Sequence, residues 1–153
     1  MKQSRYLYNN EAIATIAIGY FLKKHGVTSI AKTLLILPFV LHEPTIKKLR
    51  GSSFKRSLEE FILKHPECLN NFNNRYLDFL PLSINSITFL YEIGVIKIER
   101  DKIIYNYTSA FSPEKSNTIG TRATKMFPAI DVLHELMQSQ DTNSFYLKLK
   151  IVL

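Results

Sequence analysis

The sequence predicts a mostly α-helical domain of the α+β class. In it, a winged-helix-like unit with a small antiparallel β wing packs against N-terminal and C-terminal helices. Apolar residues recur at helical spacing over most of the chain. The period changes to that of strands at residues 95–107, directly after Gly94. The resulting order of helix, helix, glycine and hairpin is typical of a winged helix.

Length and composition indicate one globular domain. The chain has 153 residues, of which 46% are hydrophobic and 22% charged, which suffices for a single core. Within this domain, 1–153, we expect N-terminal helices at 1–50, the winged-helix unit at 53–107, and a C-terminal helix and tail at 121–153. The single cysteine, Cys68, has no partner for an internal disulfide and fits a cytoplasmic location.

The first helix is predicted to begin at Asn9 or Asn10 as its N-cap and to end at Gly26. Apolar residues occur on nearly all of its sides, so we expect this helix at the centre of the fold. Its apolar stretch, 12–22, is far shorter than the roughly 20 residues that cross a bilayer. The pattern therefore predicts a core element and no membrane partner.

A second helix is predicted to be capped by Ser29 and to run to Leu41, with Pro38 bending its axis. A buried strand over 34–41 is the alternative, because a short continuous apolar run does not reveal its period. Thr45 is then expected to cap a short basic segment.

The middle of the chain is predicted to hold three helices before the hairpin. Ser53 and Ser57 both offer a cap for the first, at 58–65, and the spacing from Ser57 to Glu60 fits a capping box. Proline at position 81 is expected to separate the other two helices, which lie at 67–80 and 83–93.

A last helix is predicted at 121–138, with Pro128 inside it as a kink. The tail at 144–153 alternates apolar and polar residues, which favours an edge strand. Its start is equally compatible with a helical turn capped by Asp141 or Thr142.

Positive charge is concentrated in the first part of the chain. Residues 1–66 carry eleven basic and four acidic side chains, whereas residues 67–153 carry nine of each. A winged helix that reads DNA concentrates cations on its recognition helix and wing. Here the segment 82–93 contains no lysine or arginine. This mismatch favours an adaptor over a sequence-reading regulator.

Five cations within ten residues form the best candidate contact site for a nucleic acid or an acidic partner. They are Lys47, Lys48, Arg50, Lys55 and Arg56. The alternative interpretation is an ordinary solvated surface. The neutral wing offers a candidate protein interface through Ile103, Ile104, Tyr105 and Tyr107.

No motif for catalysis, cofactor binding or metal binding is recognisable in the sequence. There is no phosphate-binding glycine loop and no GxGxxG. His65 is interpreted as the end of a helix, Cys68 as a buried apolar residue, His42 as a fold-stabilising hydrogen-bond partner, and His134 as solvent-facing. We therefore expect a protein that is not an enzyme and that carries no metal or cofactor.

Three segments carry a resemblance to a known family. They are Asn10-Glu-Ala-Ile-Ala, Leu35-Ile-Leu-Pro-Phe-Val-Leu-His-Glu-Pro-Thr and Ser57-Leu-Glu-Glu-Phe. In these segments the chain resembles the small middle component of bacterial three-component ABC-ATPase conflict systems. The likeness continues through 84–98 and ends in a last helix with a short aromatic-apolar tail, so it covers nearly the whole chain.

This resemblance implies a non-catalytic adaptor in a conflict system, including the Lamassu type of anti-phage and anti-plasmid defence. There a coiled-coil ABC ATPase, related to chromosome-maintenance and repair proteins, senses foreign DNA. An effector protein, often a nuclease, responds, and the small component bridges or restrains the two. Both are thus expected partners, with non-specific DNA contact. The tail at 149–153 departs from the Gly-Val-basic-Pro ending of many family members, so no partner contact through it is carried over.

A stand-alone winged-helix transcriptional regulator is the alternative hypothesis. It predicts DNA binding that is selective for a promoter sequence and steeply dependent on salt.

Overall fold

A computed structural model of the chain describes residues 2–51, 57–116, 119–138 and 140–153, with side chains described from Asn10 onward. In chain order the elements are α1 (Lys2–His25), β1 (Val27–Ser29), α2 (Ile30–Thr33), α3 (Ile36–Val40), α4 (Glu43–Arg50), α5 (Leu58–Lys64), a first 3-10 helix (Pro66–Leu69), α6 (Phe72–Glu92), β2 (Ile96–Glu99), β3 (Lys102–Tyr105), a second 3-10 helix (Pro113–Lys115), α7 (Thr121–Gln138) and α8 (Thr142–Lys148). The predicted α+β class, mostly helical with a small antiparallel sheet, is confirmed.

Helix α1 is the central element, as predicted. It packs against α6 and α7, and its side chains from Ala14 to Leu22 are almost all buried. Gly26, at φ 81°, ends it. The predicted caps Asn9 and Asn10 are wrong, because the helical backbone continues through them to Lys2. Within the described ranges, neither α1 nor any other helix combines the length and apolar content of a membrane span.

The second predicted helix is divided into two. Ser29 does cap α2, since its Oγ accepts a hydrogen bond from the Lys32 amide at 3.0 Å. A turn at Leu34 and Leu35 then separates α2 from α3, so both a continuous bent helix and a strand over 34–41 are wrong. Pro38 lies in the first turn of α3, where an amide N–H has no helical acceptor and its loss costs little.

The predicted cap at Thr45 is also wrong. α4 begins at Glu43 with His42 as its N-cap, and Thr45 is buried inside the helix. The Thr45 hydroxyl instead hydrogen-bonds Nδ1 of His42 at 2.7 Å. This contact confirms the fold-stabilising role expected for His42.

Helix α6 runs through the proline that was expected to break it. It extends from Phe72 to Glu92 with Pro81 inside, so the helices predicted at 67–80 and 83–93 are joined in one element. The predicted start at 67 is wrong, because residues 66–69 form the separate first 3-10 helix. The packing of α6 against α1 and α3 outweighs the one hydrogen bond that Pro81 removes. Pro81 is exposed, and so is Leu77, whose carbonyl loses its helical donor. The two helices that were expected directly before the hairpin are therefore one continuous helix. The assignment of residues 53–107 to a winged-helix unit stays a prediction.

The cap and the hairpin around α6 are confirmed. Ser57 Oγ accepts a hydrogen bond from the Glu60 amide at 3.1 Å and so caps α5. The predicted hairpin is formed by β2 and β3, paired antiparallel with Ile98 opposite Ile103. Strand β1, which was not predicted, pairs with the other edge of β3 and gives the sheet order β1-β3-β2.

The C-terminal part agrees with one of the two alternatives left by the sequence. Helix α7 has the predicted bounds and contains Pro128. The edge strand predicted for the tail is wrong, and the helical alternative is correct, with Asp141 as the N-cap of α8. Phe145 of α8 is fully buried, and this burial decides the helical phase of the segment.

A buried cation joins α2 to the C-terminal end of α7 and to the segment that precedes α8. Lys32 is only 9% exposed, and its Nζ donates to the carbonyls of Met137 at 3.1 Å and Gln140 at 3.2 Å. The last carbonyls of a helix lack helical donors and carry the negative end of its dipole. The C-terminus of α7 thus compensates the positive charge of Lys32. Burial lowers the pKa of the Lys32 ammonium group, and the negative charge of Asp141 offsets part of this shift.

Replacing Lys32 with methionine should lower the free energy of unfolding by about 2 kcal/mol, because it removes two charged hydrogen bonds and leaves one buried and one half-buried acceptor without a donor. Urea denaturation followed by circular dichroism measures this change. Lys47→Met, on the exposed face of α4, is the control and should stay within about 0.5 kcal/mol of the parent. Equal effects of the two substitutions would contradict the bridging role of Lys32.

Two histidines meet where α7 packs along α1. The Nδ1 atoms of His25 and His134 are 3.0 Å apart, and the His25 ring stacks on Phe21. The prediction that His134 faces solvent is only partly correct. Its Nδ1 is turned toward His25 on α1, whereas its Nε2 contacts the exposed Gln138 side chain at 3.0 Å. Burial, reinforced by the charge of Lys32, lowers the pKa of His25 to about 4, and burial also lowers that of His134. A hydrogen bond between two Nδ1 atoms requires at least one neutral ring.

The histidine pair should make stability fall in mild acid. Because the folded-state pKa of His25 is below its ordinary value of 6.5, the unfolded chain binds more protons between pH 6.5 and about 4. The free energy of unfolding is therefore expected to decline as pH falls through this window. His25→Leu should make the decline shallower in denaturation experiments at a series of pH values. An unchanged slope would show that other groups cause it.

Candidate docking surfaces

The predicted basic cluster maps onto one short amphipathic helix, α4. Its buried side chains, Thr45, Ile46 and Leu49, face α7 and the first 3-10 helix. Its outer side chains are Glu43 and Pro44 in the first turn and the exposed cations Lys47, Lys48 and Arg50 in the rest of the helix. The structure thus brings three of the five predicted contact residues together. The other two, Lys55 and Arg56, lie outside the described residues.

The cations of α4 are largely available for an external partner. Lys48 Nζ lies 3.9 Å from a carboxylate oxygen of Glu67, an exposed and therefore weak pair. Lys47 and Arg50 make no ion pair within the part of the chain that the structure describes. Cations in the last turn also suit the helix dipole, which is the structural alternative to a contact function.

The predicted interface on the wing is only partly at the surface. Ile103 and Tyr105 are buried, because alternate residues of β3 face the core. They are therefore core residues and not candidates for partner contact. Tyr107, which follows the strand, is 67% exposed, although its hydroxyl donates to the Lys23 carbonyl at 3.2 Å. Tyr107 stays a candidate contact residue.

An open groove between α1 and α6, here called the α1–α6 groove, was missed by the sequence reasoning. Its volume is about 610 Å³. It is lined by Glu11, Ala12, Thr15 and Ile16 of α1, by Asn85, Thr88, Phe89, Glu92 and Ile93 at the C-terminal end of α6, and by Phe111. Phe89 and Ile93 are about half exposed, which is high for large apolar side chains in a folded domain.

The floor of the groove is formed where the ring of Phe111 packs closely against the backbone of α1. Phe111 lies against Gly19 in the middle of α1, where an added Cβ would be only 2.5 Å from the ring. The Phe111 carbonyl accepts hydrogen bonds from Lys23 Nζ and the Tyr105 hydroxyl, each at 3.3 Å. These contacts fix the segment beside α1, so the groove is already formed in the free chain.

The apolar surplus of α6 is the signal that could have revealed the groove. Ile87 and Leu90 are buried, but Ile84, Phe89 and Ile93, apolar residues of the same predicted helix, are about half exposed. A helix with apolar residues beyond its buried face often contacts a second surface. The sequence shows this surplus, but it does not show which residues α1 leaves uncovered.

Reactive side chains are engaged in fold contacts. Cys68 is buried, and burial raises the pKa of its thiol, which disfavours the nucleophilic thiolate. His65 ends α5, as predicted, and its Nδ1 lies 3.5 Å from Glu67. Across the described ranges, no three histidine, cysteine, aspartate or glutamate residues cluster closely enough to hold a metal ion.

Comparison with known proteins agrees with the resemblance seen in the sequence. A family model described as ABC-three component (ABC-3C) system Middle Component 3 matches residues 7–153. No curated protein and no solved structure gives a significant match. The family match extends over the central helix, the sheet, α4 and the α1–α6 groove, and thus over both candidate surfaces. The chain therefore belongs to the Middle Component 3 family of ABC-three component systems.

Proposed function

We propose that the chain is a non-catalytic adaptor that bridges a coiled-coil ABC ATPase and an effector protein in a Lamassu-type anti-phage or anti-plasmid complex. Family membership supports the place in a multi-protein ABC system. The observation that carries the bridging role is the presence of two accessible surfaces with opposite chemistry. One is the cationic face of α4, and the other is the apolar, acid-flanked α1–α6 groove.

The two surfaces are on different elements that are joined through the core. α1 packs against both α6 and α7, and α7 in turn packs against α4. Buried apolar side chains fill these contacts, so α4 and the groove are held in a fixed relation. A scaffold of this kind suits a protein that keeps two partners at a defined distance and orientation.

The cationic face of α4 fits an acidic surface of one partner. Its exposed lysines and arginine offer long-range attraction and hydrogen-bond donors at the rim of an interface. The phosphate backbone of DNA offers the same charge. Nuclease treatment before the purification below separates the two, because it abolishes recovery that depends on DNA and leaves recovery through an acidic protein surface. Among the described residues, the rings of His25, His42 and His134 are engaged in hydrogen bonds and the Cys68 thiol is buried, which supports the proposal of a non-catalytic subunit.

Replacing Lys47, Lys48 and Arg50 together by glutamate should lower recovery of one partner about tenfold or more, because like charges across an interface are strongly unfavourable. The chain would be co-expressed with the products of its two neighbouring genes and purified through a tag. The partner retained on the column is quantified for parent and variant. Circular dichroism should show an unchanged fold, since all three side chains are exposed.

A matched control reverses the three exposed cations of the hairpin, Lys97, Arg100 and Lys102, which changes the net charge equally. Assembly should survive this control. The regulator hypothesis makes the opposite prediction, namely that the isolated chain selects a promoter duplex and that the hairpin control abolishes this selection. Recovery of neither neighbour by the parent chain would refute the adaptor role.

A further inference from the structure

We infer that the α1–α6 groove binds an amphipathic helix from a partner component, one with an apolar face flanked by lysine or arginine. The inference rests on the adaptor role proposed above and adds the chemistry of one docking partner. The shape, the charge and the accessibility of the groove each carry a part of it.

The shape of the groove fits a helix. Its two long walls are themselves helices, and a third helix can pack along the furrow between them. The residues that α6 contributes, from Asn85 to Glu92 and Ile93, cover about 12 Å at the rise of an α-helix. That length corresponds to roughly two turns of the occupant and so to apolar anchors at i, i+3 or i+4, and i+7.

The charge of the groove indicates which charged residues should flank the apolar face of the bound helix. Glu11 and Glu92 are exposed carboxylates at the groove, and none of its described lining residues is a lysine or arginine. The chain as a whole carries a formal charge of +7, so this surface runs against the overall sign. Bulk electrostatics would attract an acidic partner, whereas the groove itself favours a basic one.

The same carboxylates argue against a second copy of the chain as the occupant. A symmetric dimer through the groove would bring Glu11 and Glu92 of one copy toward those of the other. A small molecule fits poorly as well, because a ligand site buries most of the ligand surface, whereas this groove is open to solvent. Thr88, one of its hydroxyl residues, already donates to the Ile84 carbonyl at 2.9 Å.

The test uses two fluorescently labelled designed peptides with the same leucine face at i, i+4 and i+7. One carries lysine on both flanks and the other carries glutamate. In fluorescence polarisation with the full chain, the lysine peptide should bind more tightly than the glutamate peptide, against the net charge of the protein. Glu11→Lys combined with Glu92→Lys should reverse this preference.

Substitutions of apolar residues with similar exposure, inside and outside the groove, locate the binding site. Phe89→Asp combined with Ile93→Asp should weaken binding of the lysine peptide about tenfold or more, because both side chains line the groove. Ile84→Asp combined with Tyr91→Asp is the control. These residues of α6 are equally half exposed but do not line the groove, so binding should change less than about twofold.

Three results would overturn the inference. They are a lack of binding by either peptide, a preference for the glutamate peptide, and equal losses in the groove and control variants. Dimerisation in solution that the Phe89 and Ile93 variant abolishes would also overturn it, in favour of a second copy. None of these assays uses the neighbouring gene products, so failure here is separate from failure of the adaptor role.

Discussion

The burial of α1 between α6 and α7 is the constraint on which the other features depend. Small residues such as Ala14 and Ala17 let the neighbouring helices approach closely, and Gly19 admits the ring of Phe111. This packing sets the spacing of α1 and α6 and therefore the width of the groove between them. It also positions α7, against which α4 packs its buried side chains. The cations of α4 then face outward. Both candidate docking surfaces are consequences of how one central helix is covered.

Elements with strong local signals were predictable from the sequence, and elements decided by tertiary contact were not. The hairpin and α7 have a clear apolar periodicity and clear turn or end residues, and Ser57 has the spacing of a helix cap. The predictions for these three features agree with the structure. The predictions based on Pro38 and Pro81 were both wrong. Pro81 was expected to break a helix that packing against α1 and α3 holds continuous. Pro38 was expected to bend a helix that instead ends at a turn before it and begins again.

The same distinction explains which parts of the candidate surfaces were predictable. A cluster of cations is visible in sequence because burial of unpaired charge is costly, so Lys47, Lys48 and Arg50 had to be near the surface. Apolar residues carry no such guarantee. Tyr105 was assigned to an interface and is in the core, whereas Phe89, an apolar residue of the helix predicted at 83–93, is half exposed. Periodicity identifies the apolar residues of an element but not which of them a neighbour covers.

The opposite chemistry of the two surfaces has a consequence for how a complex would assemble. A partner with an acidic surface is attracted to α4 and repelled by the carboxylates Glu11 and Glu92 at the groove. A partner with a basic amphipathic helix experiences the reverse. In the proposed complex, the two partners could therefore not exchange places without bringing like charges together. Discrimination between them would arise as much from repulsion at the wrong surface as from attraction at the right one. Because α1 and α7 hold the two surfaces in a fixed relation, the order of the partners also determines their relative orientation.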